Sequence, residues 1–174
     1  MSADGLRVAA LLGVWAVVPF AVGRSLGAAR GAVTSLLVAP PAGTLALLAT
    51  LLAMEPSKPW PSSGSVLEMS SLLALGSVYA YVLVGGWAAL LGAVGGRILA
   101  RVAMRRSLAS RALGRAGAIG GALFGIVFVA ALGMSGWDVG DWFTLWAIAG
   151  VAAGSVSGTL TGCGIARDVV AGRR

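Results

Sequence analysis

Five long apolar stretches dominate the chain, and short links rich in Arg, Pro, Ser or Asp separate them. A crossing of the bilayer core needs about 20 predominantly apolar residues. Segments 6–23, 31–54, 69–96, 114–134 and 142–166 meet or approach that length. The pattern predicts an all-α, polytopic transmembrane protein with about five spans in one integral membrane domain.

Each segment carries its own signal. Pro19 lies inside the first and is expected to kink it. The second contains Pro40-Pro41 near its middle. Two prolines delete two backbone donors and bias the preceding residue away from helix, so this span is expected to be kinked, broken or re-entrant. Residues 55–68 (EPSKPWPSSGSVLE) have no periodic face and read as a loop, with Trp60 at an interface. The third segment exceeds what a bilayer requires, so it tilts or emerges. The acidic link SGWDVGDW places Asp141 to cap the fifth segment, and Trp137, Trp142 and Trp146 form an interfacial belt there.

Glycine spacing adds a packing signal. Gly150, Gly154, Gly158 and Gly162 recur every fourth residue, as do Gly117, Gly121 and Gly125, while Gly92 and Gly96 follow Ala88 at the same interval. On a helix this spacing strips one face of side chains and lets another backbone approach. The ladders of segments four and five lie at opposite ends of their segments, as an antiparallel pair requires. Three helices, the third, fourth and fifth, are expected to converge at that end.

Composition strengthens the membrane reading. Of 174 residues 58% are apolar and only 11% charged, against roughly 25% charged in soluble domains. The net charge of +7 comes almost entirely from arginine. Its placement at the ends of apolar runs points to membrane topology rather than nucleic acid, since the basic stretch 97–115 lacks interleaved aromatics. That loop (Arg97, Arg101, Arg105, Arg106, Arg111, Arg115), the Arg24/Arg30 link and the C-terminal tail fall on one side. The positive-inside rule makes that side cytoplasmic, with the N-terminus outside, in a bacterial inner membrane.

Catalytic chemistry has little to work with. Histidine is absent and Cys163 is the single cysteine, so the usual zinc, haem and iron–sulfur ligand sets cannot be assembled. There is no nucleophile–base set, no carboxylate pair within a span and no phosphate-binding loop. No cofactor or metal is expected, and the chain is read as a non-enzyme. No motif identifies a family.

Two functional readings follow. In the first, the protein is a structural or accessory subunit of a membrane complex, or a homo-oligomer, packed through glycine faces left over after the monomer folds. In the second, it is a small channel or solute-uptake component. Its site would lie at the broken second span, built from Thr34, Ser35, Pro40, Pro41, Thr44 and freed backbone groups. The arginines are candidates for contact with anionic lipid or an acidic partner.

Overall fold

The computed structural model describes residues 3–23, 25–54, 63–106, 109–134 and 143–172. These form six helices: α1 (Ala3–Val22), α2 (Leu26–Met54), α3 (Ser63–Leu83), α4 (Gly85–Arg106), α5 (Ser110–Met134) and α6 (Phe143–Ala171). Four contain stretches long and apolar enough to cross a membrane: Leu26–Leu51, Gly85–Arg105, Ser110–Ala131 and Phe143–Ala171. Trp60, Trp137, Asp141 and Trp142, with their expected interfacial and capping roles, lie outside the described residues.

Helix boundaries have local causes. Gly23 ends α1 in the left-handed region (φ 50°), its N–H bonded to the Pro19 carbonyl at 3.1 Å, a geometry that glycine adopts at no steric cost. Ser25 then caps α2, its hydroxyl accepting from the Ala28 N–H at 3.4 Å. α2 therefore begins five residues before the expected 31, and Gly27 and Gly31 become helical.

Pro40-Pro41 does not divide the second segment. α2 is one helix through both prolines, not a broken or re-entrant pair. Proline 41 cannot donate to the carbonyl four residues back, that of Leu37, and the Tyr81 hydroxyl of α3 donates to that oxygen instead, at 2.7 Å. The neighbouring turn gains a bond from Thr44 Oγ1 to the Pro40 carbonyl at 2.9 Å. Repair by neighbours removes the reason to break.

The third expected segment, 69–96, is divided instead. α3 and α4 are separated by Val84 alone, and bonds from Val84 N to Ala80 O and from Ala88 N to Val84 O, both 2.9 Å, carry the ladder across. Gly85 and Gly86 follow, and a Cβ on Gly86 would stand 2.6 Å from Val14 Cγ1. Residues without side chains let α1 press against this joint, where the Trp15 indole donates to the Val82 carbonyl at 3.2 Å. The basic stretch 97–115 is not a loop: its first ten residues complete α4, and residues 110–115 begin α5.

Pairing between helices fixes their directions. α2 runs antiparallel to the α3–α4 pair, with Thr44 beside Gly76, Gly31 beside Gly92 and Gly27 beside Gly96. α6 runs antiparallel to both α2 and α5: Gly43 faces Ala149, and the Arg30 guanidinium donates to the Gly164 carbonyl at 2.6 Å. α1 lies alongside α4 in the same direction, with Arg97 Nη2 bonded to the Ala21 carbonyl at 3.1 Å. Arg30, Arg97, Arg101, Arg105, Arg111, Arg115 and Arg167 consequently gather at one end of the bundle.

Small residues, chiefly alanine, supply most of the interior, and many large apolar side chains face outward. One core cluster is Ala28, Ala32, Ala89 and Ala93; a second is Ala103, Leu113, Ile165 and Ala166. Leu113 is the one large side chain fully buried among the described residues, whereas Phe20 is 85% and Leu37 59% exposed. A water-soluble bundle buries its large apolar groups. This inverted arrangement stabilises a fold only where the surroundings are themselves apolar and close packing holds the helices.

Candidate functional site

The expected packing glycines are brought together in two separate seams. Between α5 and α6, Gly117 meets Gly158, Gly121 meets Gly154 and Gly125 meets Gly150, while Gly162 meets the Leu113 carbonyl. Each step of four along α5 is matched by a step of four back along α6. A Cβ at Gly117, Gly121 or Gly125 would overlap the partner's carbonyl oxygen. Gly92 and Gly96 do not join this seam. They face Gly31 and Gly27 of α2, so the expected three-helix convergence is replaced by two close pairs. Every glycine expected to mediate packing has a close neighbour within the chain.

The two seams set the geometry of a groove. α2–α4 and α5–α6 are tightly joined pairs, whereas α4 and α5 touch sparsely. At one end the Trp87 and Phe128 rings sit with centroids 6.2 Å apart, tilted by 44°. At the other, Ala103 packs with Leu113. Between these points lies a half-open cavity of about 290 Å³. Its walls are Ala88, Leu91, Gly95 and Leu99 of α4 and Ala116, Gly120, Phe124 and Phe128 of α5. Its floor is Ser35 and Ala39 of α2, with Ala153, Ser157 and Thr161 of α6.

Two lining glycines serve space rather than packing. A Cβ on Gly120 would meet nothing within 4 Å, and one on Gly95 would meet only Phe124 Cε2, at 3.6 Å. Neither adds a side chain to the space between α4 and α5, where the Phe124 ring faces Gly95.

The floor holds all three buried polar side chains found among the described residues: Ser35 (7% exposed), Ser157 (4%) and Thr161 (4%). Ser157 donates back to the Gly154 carbonyl at 3.2 Å, a local bond that uses its proton and leaves it only as an acceptor. Ser35 and Thr161 make no hydrogen bond among the described residues. Trp87 Nε1 is the one side-chain polar atom there both sealed and unpaired; Ser35 and Thr161 both line the groove, with Ser35 Oγ set against Gly92 in the α2–α4 seam. An unpaired hydroxyl in an apolar wall is costly to leave unmet, which makes both available to an incoming acceptor.

Of the residues expected at a broken second span, Ser35 alone lines the groove. Thr44 is bonded locally and touches Gly76, Pro40 is buried, and Pro41 acts through Leu37 and Tyr81. Thr34 and Pro41 are half-buried in α2, outside the cavity lining.

The arginines divide into two sets. Arg97 is bonded to the end of α1, and Arg30 is paired with Asp168. Arg101, Arg105, Arg111 and Arg115 are exposed and have no ion pair among the described residues. The side chain of Arg106 lies outside the described set. No group of three or more metal-ligating side chains occurs among the described residues.

Sequence reading missed Gly27, Gly31, Gly95, Gly120, Ser157 and Thr161. The first two carry the four-residue spacing and were readable as a ladder. Gly95 and Gly120 are adjacent to ladder glycines, and only the crossing of helices separates the two roles.

A scan against family models and searches of the curated proteins and of the solved structures return no match to this chain.

Proposed function

We propose that this chain is a five-pass integral membrane protein that acts by binding rather than by catalysis, taking an apolar chain from the bilayer into the α4–α5 groove. The third pass is the α3–α4 pair, and the arginine end is cytoplasmic, which leaves the N-terminus outside and the C-terminus inside. The observation that carries this reading is the groove itself: apolar walls, open on one side, with two free hydroxyls on its floor. Its volume is near the lower end of the roughly 300–1,000 Å³ of small-molecule pockets. That suits a hydrocarbon chain and is too small for a partner helix. An accessory-subunit role loses its first motive, because the ladder glycines are used internally.

Native mass spectrometry of the gently extracted particle tests the reading. The expected species is a monomer retaining one lipid. Gly120→Leu, which places a side chain in the opening, should release it. Gly13→Leu is the matched control, since a Cβ there also meets nothing within 4 Å and Gly13 does not line the groove. Equal retention by both variants would remove the groove from the account. A larger particle containing other proteins would favour the subunit reading instead.

A further inference from the structure

Resting on that groove reading, we infer that the occupant is one acyl chain of an anionic phospholipid from the leaflet at the arginine end, with its headgroup held by Arg101 and Arg105. Length is the first argument. The α4 wall from Ala88 to Leu99 covers about 16 Å at 1.5 Å per residue. One leaflet contributes about 15 Å of a hydrocarbon core about 30 Å thick. A chain that enters at the arginine end and stops near Trp87 therefore fills the groove along its length.

Charge placement is the second. Ile98 borders the groove, and Arg101 and Arg105 continue its face of α4 one and two turns on. Across the opening, Arg111 and Arg115 fall on the face of α5 turned away from the lining residues Ala116, Gly120 and Phe124, so the α4 pair alone borders the groove. Both Arg101 and Arg105 are exposed, and no acidic residue occurs between Glu68 and Asp138 to neutralise them. Asp168, the acid described at this end, is engaged by Arg30. An anionic headgroup answers this pair, whereas a zwitterionic one brings a competing cation.

The third is the free hydroxyl nearest that end. Thr161 precedes Gly162, which contacts Leu113, and Leu113 packs on Ala103. Its oxygen therefore lies at the junction between arginines and apolar wall, where a diacyl lipid carries its ester oxygens. A hydroxyl donor suits that position, and an alkane would leave it unmet.

The test uses the purified, delipidated full chain, titrated in detergent with phosphatidylglycerol or phosphatidylcholine of identical acyl chains and read by native mass spectrometry. The wild type should retain one phospholipid and favour the anionic one about thirtyfold, the factor that two arginine contacts at membrane-surface strength supply. Neutralising the pair (R101Q and R105Q together) should bring the two lipids to near parity while the retained total stays close to one. These positions are exposed, so packing is spared, and helical circular dichroism checks each variant. Equal affinity for both lipids in the wild type, or a preference that survives neutralisation, overturns the inference and leaves the groove reading intact. Unchanged retention by Gly120→Leu strikes the groove reading instead. Loss of the preference on adding inorganic phosphate would assign the arginines to a soluble anion and also overturn it.

Discussion

Gly120 and Gly121 are neighbours on α5 with opposite environments, and adding one methyl group to each separates packing from helix propensity. At Gly121 the new Cβ would overlap the Gly154 carbonyl oxygen, with the Gly154 carbonyl carbon and Cα close behind. Backbone cannot rotate away as a flexible side chain does, so α5 and α6 must part by about an ångström. A gap of 0.5–1 Å forfeits roughly a quarter to a half of each dispersion contact along the seam. Overpacking of this kind costs about 1–3 kcal/mol, and the rigid partner places Gly121→Ala in the upper half of that range. Gly120→Ala meets nothing within 4 Å and gains helix propensity, worth at most about 1 kcal/mol. The two variants should differ by about 2–4 kcal/mol, a factor of roughly 30 to several hundred in the folding equilibrium. Reversible unfolding in mixed micelles of dodecylmaltoside and sodium dodecyl sulfate, followed by circular dichroism, measures the difference. Equal stability of the two variants would refute the claim that the α5–α6 seam depends on backbone contact.

Further outcomes follow from particular bonds. Tyr81→Phe should destabilise by about 1 kcal/mol, within the range for hydrogen bonds in membrane proteins. The loss should shrink toward zero in a Pro41→Ala background, because alanine restores the donor to the Leu37 carbonyl; an unchanged loss in that double-mutant cycle would contradict the repair role of Tyr81. Asp168→Asn should cost less than about 1 kcal/mol by the same unfolding assay, since the Arg30 and Asp168 side chains are 38% and 55% exposed and solvent screens them. Gly164→Ala should be nearly as mild, although its Cβ would stand 2.9 Å from Arg30 Nε, because the arginine can swing aside where a backbone cannot. A loss at Gly164 as large as that at Gly121 would contradict this distinction.

The helices and their polarity were legible from apolar runs, arginine placement and the spacing of glycines. Where the chain would bend was not. Pro40-Pro41 carries the stronger local signal, yet α2 continues because Tyr81, 44 residues away from Leu37 in sequence, takes the freed carbonyl. The joint falls at Val84, before a Gly85-Gly86 pair whose local signal is weaker and whose cause is the approach of α1. Glycine spacing alone also failed to assign partners. Gly92 and Gly96 have the same period as Gly117 and Gly121 but face α2, whose Gly27 and Gly31 sit in a stretch that Arg24 and Arg30 made look like a link. The groove was invisible for a related reason. Gly120 and Gly121 are equivalent in any one-dimensional pattern, and the side of α5 that each occupies decides whether it closes a seam or opens a cavity.

Occupancy of the α4–α5 groove is the central claim, and photo-crosslinking in membranes addresses it most directly. A phosphatidylglycerol carrying a diazirine midway along one acyl chain would be incorporated with the protein, irradiated, and its adducts mapped by peptide mass spectrometry. Adducts should concentrate on the groove walls, at Leu91 and Leu99 of α4 and Phe124 of α5, above the level at outward-facing Leu37, Leu75 and Leu123. Gly120→Leu should abolish that excess and leave the outward positions unchanged. Labelling confined to the outward positions, with nothing on Leu91, Leu99 or Phe124, would contradict the account.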